Sequence, residues 1–253
     1  MLTAGLLLPF AGTTLGAAAV FLMKSTVNKT VERILTGFAA GVMTAASVWS
    51  LLLPSIETAP ESVPAFLPAA VGFLAGIAFL QVLDRLIARL RKSENGNGGT
   101  SHKNLRMMLA VTLHNIPEGM AVGVALAAAL DVRSGISPAA AMALSLGIAV
   151  QNFPEGAIIS MPLQSEGAGK GKAFLLGTLS GAVEPVFGVL TLLLTGFVAA
   201  VLPYLLAFAA GAMICVVAEE LIPASQNGTR SSLPTAGLAL GFVTMMVLDV
   251  AFG

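Results

Sequence analysis

The sequence is poor in charge and in cysteine, and each scarcity excludes a class of protein. Only 10% of its 253 residues are Asp, Glu, Lys or Arg, against roughly 25% in an average soluble domain. So few charges cannot cover a surface that faces water. The single cysteine, Cys215, excludes an internal disulfide. The formal net charge is zero, which points to no particular charged partner, and no nucleic-acid partner is expected.

Hydrophobic residues are abundant instead, at 56% of the chain. They form runs of about 20 residues, long enough to cross a bilayer core of roughly 30 Å as helices. The first run, 2–23, lacks the positive start of a signal peptide and is too long for its hydrophobic region, so we interpret it as a retained span.

Breaks at charged or Pro/Gly-rich segments predict an all-α polytopic membrane protein with eight transmembrane helices in a single domain, 1–253. The polar segment 91–104 is the one flexible connector expected. The helices are expected over 2–23, 34–54, 64–84, 105–130, 136–160, 173–200, 203–222 and 233–252.

Basic residues are segregated between the two sides of this predicted topology. Connections after the odd-numbered helices carry 12 of the 13, and only Arg133 lies on the other side. By the positive-inside rule the basic side is cytoplasmic. The segment 91–104 is therefore expected in the cytoplasm and both termini outside.

Spaced patterns recur along the chain and predict an internal repeat. Each matched pair lies an odd number of helices apart, so the related helices run in opposite directions. Such inverted repeats place the substrate near the membrane midplane. The patterns are Gly12-Thr13 with Gly16-Ala17 against Gly177-Thr178 with Gly181-Ala182, Gly72, Gly76 and Asp84 against Gly237, Gly241 and Asp249, and Phe38 to Gly41 against Phe208 to Gly211.

Two related motifs place acidic residues near the middle of apolar helices. They are His114-Asn115-Ile116-Pro117-Glu118-Gly119 in helix 4 and Gln151-Asn152-Phe153-Pro154-Glu155-Gly156 in helix 5. Helix 6 adds Glu184. An acidic residue at a helix centre costs about 2.5 to 3.5 kcal/mol on insertion scales, so three of them predict a bound cation.

The spacing within each motif predicts a shared face. Residues four apart stack on a helix, so His114 pairs with Glu118 and Gln151 with Glu155. Prolines in the motifs also free backbone carbonyls that need a partner in the membrane. Imidazole, carboxylate and amide ligands without thiolates suit zinc, Fe(II), manganese or cobalt rather than Cu(I).

The twin motifs resemble the signature of the ZIP (Zrt/Irt-like) metal-ion transporters, particularly the bacterial GufA-like branch, and the resemblance covers essentially the whole chain. It implies eight helices in a 3+2+3 inverted arrangement. It also implies that the protein moves divalent transition-metal ions toward the cytoplasm by alternating access, with zinc foremost and iron, manganese, cobalt or cadmium as further substrates. We therefore expect a bacterial inner-membrane protein with no enzymatic activity, and a homodimer.

The resemblance, carried over residue by residue, also implies a binuclear metal site with the central glutamates bridging. Gln151 stands where many members have His, and Asn152 where some have Asp. The implied ligands are His114, Glu118, Gln151 and Glu155 for one ion, and Asn115, Asn152 and Glu184 for a neighbouring one.

Further residues are candidates for the metal pathway. Glu219 and Glu220 lie near the cytoplasmic end of helix 7, where a released cation would emerge. Two interpretations of Asp84 are equally compatible with the sequence: it is either a ligand at the exit of the pathway or an interfacial residue that reaches water. Met43 and Ser47 in helix 2 either line the metal path or only pack against neighbouring helices. Asp249, at the outer end of helix 8, is expected to matter little.

Two other functions compete with metal transport. An intramembrane metal-dependent hydrolase would also need His and carboxylates at mid-depth, but its mark is a histidine pair such as His-Glu-x-x-His, and His114 stands alone. A transporter of another solute could use the carboxylates for proton or sodium coupling. Metal uptake by purified protein separates this alternative from metal transport.

Overall fold

The computed structural model describes residues 1–22, 28–93, 100–131, 134–165, 167–197, 201–228 and 231–252. Within these ranges the chain is helical and forms no strand, so the predicted all-α fold class is confirmed. The long helices are α1 (Leu2–Leu22), α2 (Lys29–Glu57), α3 (Phe66–Ser93), α4 (Thr100–Ala128), α5 (Pro138–Ser165), α6 (Lys170–Gly181 followed by Val183–Phe197), α7 (Leu202–Gln226) and α8 (Leu233–Phe252).

Seven of the described helices are long and apolar enough to cross a membrane. α4 has 29 residues and is also long enough to cross a hydrocarbon core of roughly 30 Å. The predicted number of eight long helices therefore agrees with the structure.

Several helices run further than the sequence predicts. The connector expected over 91–104 is helical at both ends, because α3 continues to Ser93 and α4 begins at Thr100. A helix of 28 residues is about 42 Å long, which exceeds a hydrocarbon core of roughly 30 Å. Hydropathy detects only the apolar part of such a helix.

Two of the helices have a side-chain cap at their N-terminal end. The Asn28 Oδ1 atom accepts a hydrogen bond of 2.8 Å from the Thr30 amide at the start of α2. Ser137 caps α5 in the same way through the Ala140 amide, at 3.0 Å. These short polar side chains satisfy amides that have no partner within the helix.

Three helices are irregular along their length. α6 breaks at Ala182, three residues before Pro185, because proline removes a backbone hydrogen bond and crowds the preceding turn. α2 and α7 contain π-helical segments at Ser47–Leu52 and Val217–Leu221. Both π segments begin at positions 170 residues apart, the same offset that relates Phe38 to Phe208.

Glycine contacts between helices repeat in the two halves of the chain. A Cβ on Gly76 of α3 would overlap the Phe208 carbonyl oxygen of α7, and a Cβ on Gly241 of α8 would overlap that of Phe38 on α2. Small residues let helix backbones approach this closely. These contacts join positions that are related by the sequence offsets. Further equivalent contacts join Gly72 to Tyr204, Gly237 to Ile34, Gly211 to Phe73 and Gly41 to Leu238.

The most extensive packing is pairwise, with α1 against α5, α2 against α8, α3 against α7, and α4 against the second half of α6. Large buried side chains such as Met43, Leu144 and Met213 fill the interior. Large apolar side chains on α3 and α8, including Leu74 and Leu240, are exposed, as expected for surfaces that face lipid. The two motif helices, α4 and α5, contribute heavily to the core.

Candidate metal centre

The motif side chains that the structure describes are buried together inside the helix bundle. Asn115, Glu118, Gln151 and Asn152 have no exposed surface. Glu155 and Glu184 are 9% and 1% exposed. The side chain of His114 lies outside the described part of the chain. The described ligands predicted from the sequence are therefore shielded from both lipid and water.

Glycine follows glutamate in both motifs and brings a third helix close to each. A Cβ on Gly119 would overlap the Glu184 carbonyl oxygen of α6, and a Cβ on Gly156 would overlap the Thr13 carbonyl oxygen of α1. The glycines of the two motifs therefore allow the backbone of a neighbouring helix to approach closely. They bring α6 against α4 and α1 against α5 at the level of the acidic residues.

The break in α6 determines where Glu184 lies. Its second half begins at Val183, so Glu184 is in the first turn of a new helix. The N-terminal end of a helix carries a partial positive charge that favours a carboxylate. Pro185 therefore accounts for both the break and a favourable position for the third acidic residue.

Two side-chain hydrogen bonds join the three helices at the site. The Gln151 amide nitrogen of α5 donates to Glu118 Oε1 of α4 at 2.6 Å. The Asn115 amide nitrogen of α4 donates to Glu184 Oε1 of α6 at 3.0 Å, and also to the backbone carbonyl of Ser180 at 3.1 Å. Each amide thereby orients one carboxylate and keeps its own oxygen available.

The three acidic side chains form one electrostatic group. Glu155 lies close enough to Glu118 and Glu184 for their charges to interact. Asn152 lies beside Glu118 and Glu184. Like charges in a buried site repel strongly because the local dielectric constant is low, and a cation between them would remove that repulsion.

Several buried oxygen atoms at the site accept no hydrogen bond from any described residue. They are Asn115 Oδ1, Glu118 Oε2, Gln151 Oε1, Asn152 Oδ1 and Glu184 Oε2. Buried polar atoms are nearly always satisfied in native proteins, and exceptions indicate an ion, a water or a functional role. Buried carboxylate and amide oxygens of this kind could hold a divalent cation.

Acidic and imidazole ligands alone do not complete this site within the described chain. Among the described residues, no three His, Cys, Asp or Glu side chains form a metal-binding cluster. An ion would take part of its coordination from the amides of Asn115, Gln151 and Asn152. His114, one position before Asn115, would be the imidazole ligand.

The structure describes the side-chain surroundings of four of the five predicted pathway residues. Met43 packs in the core, and the Ser47 hydroxyl donates to the Met43 carbonyl at 2.7 Å. Glu219 is exposed and accepts a hydrogen bond from Gln81 at 3.0 Å, while Glu220 is half-buried. The Asp84 side chain lies outside the described residues. The pathway roles of all five residues remain predictions.

The structure contains a cavity that the sequence does not predict. It has a volume of about 220 Å³ and is lined by Trp49, Ser50 and Glu57 of α2 and by Asp249 of α8. The Ser50 hydroxyl lies 2.8 and 2.9 Å from the two Asp249 carboxylate oxygens. Asp249 is only 9% exposed, so this residue is more enclosed than its place near a helix end suggests. The sequence does mark Asp249 as unusual, because this acid lies in an apolar helix and matches Asp84 in the internal repeat.

Comparisons with known proteins find relatives along nearly the whole chain. A family model described as ZIP Zinc transporter matches residues 103–249. The chain is 38% identical to the zinc transporter GufA of Myxococcus xanthus, over 96% of each protein. It is 36% identical to the zinc transporter ZIP11 of Xenopus tropicalis, over 98% of this chain and 96% of the relative. The zinc transporter ZIPB of Bordetella bronchiseptica is 34% identical, over 96% of this chain and 79% of the relative.

Proposed function

Because the chain belongs to the ZIP family of divalent metal transporters, we propose that it carries zinc through the buried cluster of Glu118, Glu155 and Glu184. The observation that carries the proposal is the burial of three carboxylates, two of which, Glu118 and Glu184, each have an oxygen atom that accepts no hydrogen bond from any described residue. Each of these acids would be costly in a membrane without a cation.

The first ion binds at His114, Glu118, Gln151 and Glu155. This set combines an imidazole with carboxylate and amide oxygens, which suits zinc. Gln151 holds Glu118 by a hydrogen bond of 2.6 Å and presents its own oxygen to the site. Relatives named as zinc transporters support zinc as the main substrate. Fe(II), manganese, cobalt and cadmium are further substrates compatible with these ligands.

A second ion binds beside the first at Asn115, Asn152 and Glu184, with the central glutamates shared. Asn115 and Asn152 both have a buried oxygen without a hydrogen bond from the described residues, as does Glu184. The ligands of this second position are mostly neutral amides. It therefore binds an ion less tightly than the first position.

Transport follows alternating access toward the cytoplasm. The described ligands are buried, so an ion reaches or leaves them only when helices move. The Asp249 cavity is the approach from outside, and Glu219 and Glu220 receive the ion on the cytoplasmic side. Met43 and Ser47 of α2 lie along the path between the two ends, and Asp84 contributes to the exit.

The remaining features follow from the sequence pattern. We propose that the whole chain forms one transmembrane domain in a bacterial inner membrane, with both termini outside because 12 of 13 basic residues lie on the opposite side. We also propose that it assembles as a homodimer and catalyses no reaction.

Zinc uptake by the purified protein in lipid vesicles tests the proposal. A zinc-sensitive dye trapped inside would report uptake by the native protein and its loss in Glu118→Gln and Glu155→Gln. Magnesium, which favours an all-oxygen octahedral shell, is expected to move far more slowly. Zinc uptake no faster than that of protein-free vesicles would refute the assignment.

A further inference from the structure

α1 contributes a buried hydroxyl group to the metal centre. Thr13 has no exposed surface, and its Oγ1 atom donates a hydrogen bond of 3.0 Å to Glu184 Oε1. The two residues are 171 positions apart in the chain. Neither twin motif includes Thr13, and α1 carries none of the ligands assigned above.

Glu184 is held through one oxygen atom and open at the other. Its Oε1 atom accepts hydrogen bonds of 3.0 Å both from Thr13 and from the Asn115 amide. Its Oε2 atom has no hydrogen-bond partner among the described residues. Two donors on one oxygen fix the carboxylate plane, so the second oxygen points in one direction. That second oxygen is the one available to an ion.

Close helix packing keeps the Thr13 hydroxyl in place. A Cβ on Gly12 would overlap the carbonyl oxygen of Ala149, and one on Gly16 would overlap that of Phe153, both on α5. From the other side, a Cβ on Gly156 would overlap the Thr13 carbonyl oxygen. α1 therefore cannot slide along α5 without steric overlap, and the hydroxyl keeps a constant position relative to the site.

The hydroxyl has one other acceptor within reach, the Pro9 carbonyl of its own helix, at 3.4 Å. A hydroxyl has a single proton, and the shorter contact to a carboxylate is the stronger hydrogen bond. The neighbouring Thr14 makes the usual intrahelical contact, donating to the Phe10 carbonyl at 2.8 Å. Thr13 thus differs from Thr14 in directing its proton away from its own helix.

We propose that Thr13 is a positioning residue for metal binding, which orients Glu184 so that its free oxygen faces the ion. The assignment rests on the proposed function of the cluster. Residues that orient metal ligands are typically worth about 10- to 100-fold in metal affinity. α1 is thereby a functional part of the site.

Serine and alanine at position 13 provide the sharpest test. Thr13→Ser and Thr13→Ala both remove the methyl group and differ only by the hydroxyl. Zinc binding to purified protein is measured by calorimetry. We expect Thr13→Ser to bind as the native protein does and Thr13→Ala to bind roughly 10- to 100-fold more weakly. Thr14→Ser and Thr14→Ala, made on the same helix, are expected to bind alike.

Thermal unfolding of the metal-free proteins distinguishes positioning from general stability. Thr13→Ala and Thr14→Ala each lose one hydroxyl, so a loss of zinc binding confined to Thr13→Ala supports positioning. Equal zinc affinity for Thr13→Ser and Thr13→Ala would overturn the assignment and leave the proposed function intact. Equal weakening by Thr13→Ala and Thr14→Ala would also overturn it. Absence of zinc binding in the native protein would overturn the proposed function and this assignment together.

Discussion

Gln151 and Glu118 join the two central helices by a buried hydrogen bond of 2.6 Å. The donor is the side-chain amide nitrogen of Gln151, and the acceptor is Glu118 Oε1. The Gln151 oxygen accepts no hydrogen bond from any described residue. The amide therefore orients a neighbouring ligand with one end and offers a weak ligand with the other.

Gln151→His is expected to bind zinc roughly tenfold more tightly. One ring nitrogen can donate to Glu118 while the other binds the ion, an arrangement that carboxylate and histidine adopt around zinc. The imidazole nitrogen is a better zinc ligand than an amide oxygen. Turnover is expected to fall because the ion leaves more slowly.

Calorimetry and vesicle uptake measure the two effects of Gln151→His separately. Gln164→His, on the same helix but outside the cluster, is the matched control and is expected to change neither. Unchanged zinc affinity in Gln151→His would mean that position 151 is not a ligand.

The ligand-bearing residues could be predicted because their chemistry conflicts with their surroundings. Glu118, Glu155 and Glu184 interrupt apolar helices, and acids in that position need a compensating partner such as a bound cation. The i, i+4 spacing then identified the face that they share with their motif partners. The structure places the described members of this set together without adding a further acidic residue.

The side-chain contacts of Thr13 and Asp249 could not be predicted in the same way. A threonine in an apolar helix is ordinary because its hydroxyl can bond to its own backbone, as Thr14 does. That Thr13 instead reaches Glu184 depends on how α1 packs against α5 and α6. Likewise, the enclosure of Asp249 depends on Ser50 from α2. Tertiary contacts of this kind leave no local pattern in the sequence.

Helix irregularities were only partly predictable. A proline such as Pro185 is a local signal for a helix break, and the structure has the break in α6 at Ala182. The π-helical segments at Ser47–Leu52 and Val217–Leu221 have no comparable local signal. The prolines that follow them, Pro54 and Pro223, are equally compatible with a simple kink.

Glu155→Gln is expected to reduce zinc affinity by at least about 100-fold, since replacing a coordinating carboxylate is at least as damaging as replacing a residue that only orients a ligand. The amide keeps the size and shape of the side chain, so insertion and folding are retained. Glu61→Gln, an exposed acid in the connection between α2 and α3, serves as control. A comparable loss in both variants, measured by calorimetry, would contradict a specific role for Glu155.

Asp249→Asn is expected to raise the KM for zinc uptake severalfold with little change in the maximal rate. The carboxylate lines the 220 Å³ cavity and would concentrate cations at the entrance, but it lies outside the ligand cluster. Ser50→Ala removes the hydrogen bond and keeps the charge, so its KM is expected to change less. Uptake rates measured over a range of zinc concentrations give the KM of both variants. They show whether the charge of Asp249 or its hydrogen bond to Ser50 determines the KM.

Impermeant thiol labelling of intact cells tests the membrane orientation. Replacing Cys215 by alanine removes the only native thiol, and single cysteines are then introduced at Glu61 or Asn97. The cysteine at Glu61 is expected to react from outside and the one at Asn97 only after the cells are opened, because basic residues surround the latter segment. Reaction of the Asn97 cysteine from outside would reverse the assigned orientation.

Zinc is expected to bind in two unequal steps. With Glu118, Glu155 and Glu184 ionised, the cluster carries three negative charges, so a first divalent ion leaves it at minus one and a second brings it to plus one. The first ion therefore enters an anionic site, whereas the second must overcome repulsion from the first and relies on the amides of Asn115 and Asn152. Asn152→Asp adds a carboxylate at the second position and is expected to strengthen the second step by roughly tenfold, about 1.4 kcal/mol. Calorimetric titration resolves the steps, and two equal steps in the native protein would contradict this charge argument.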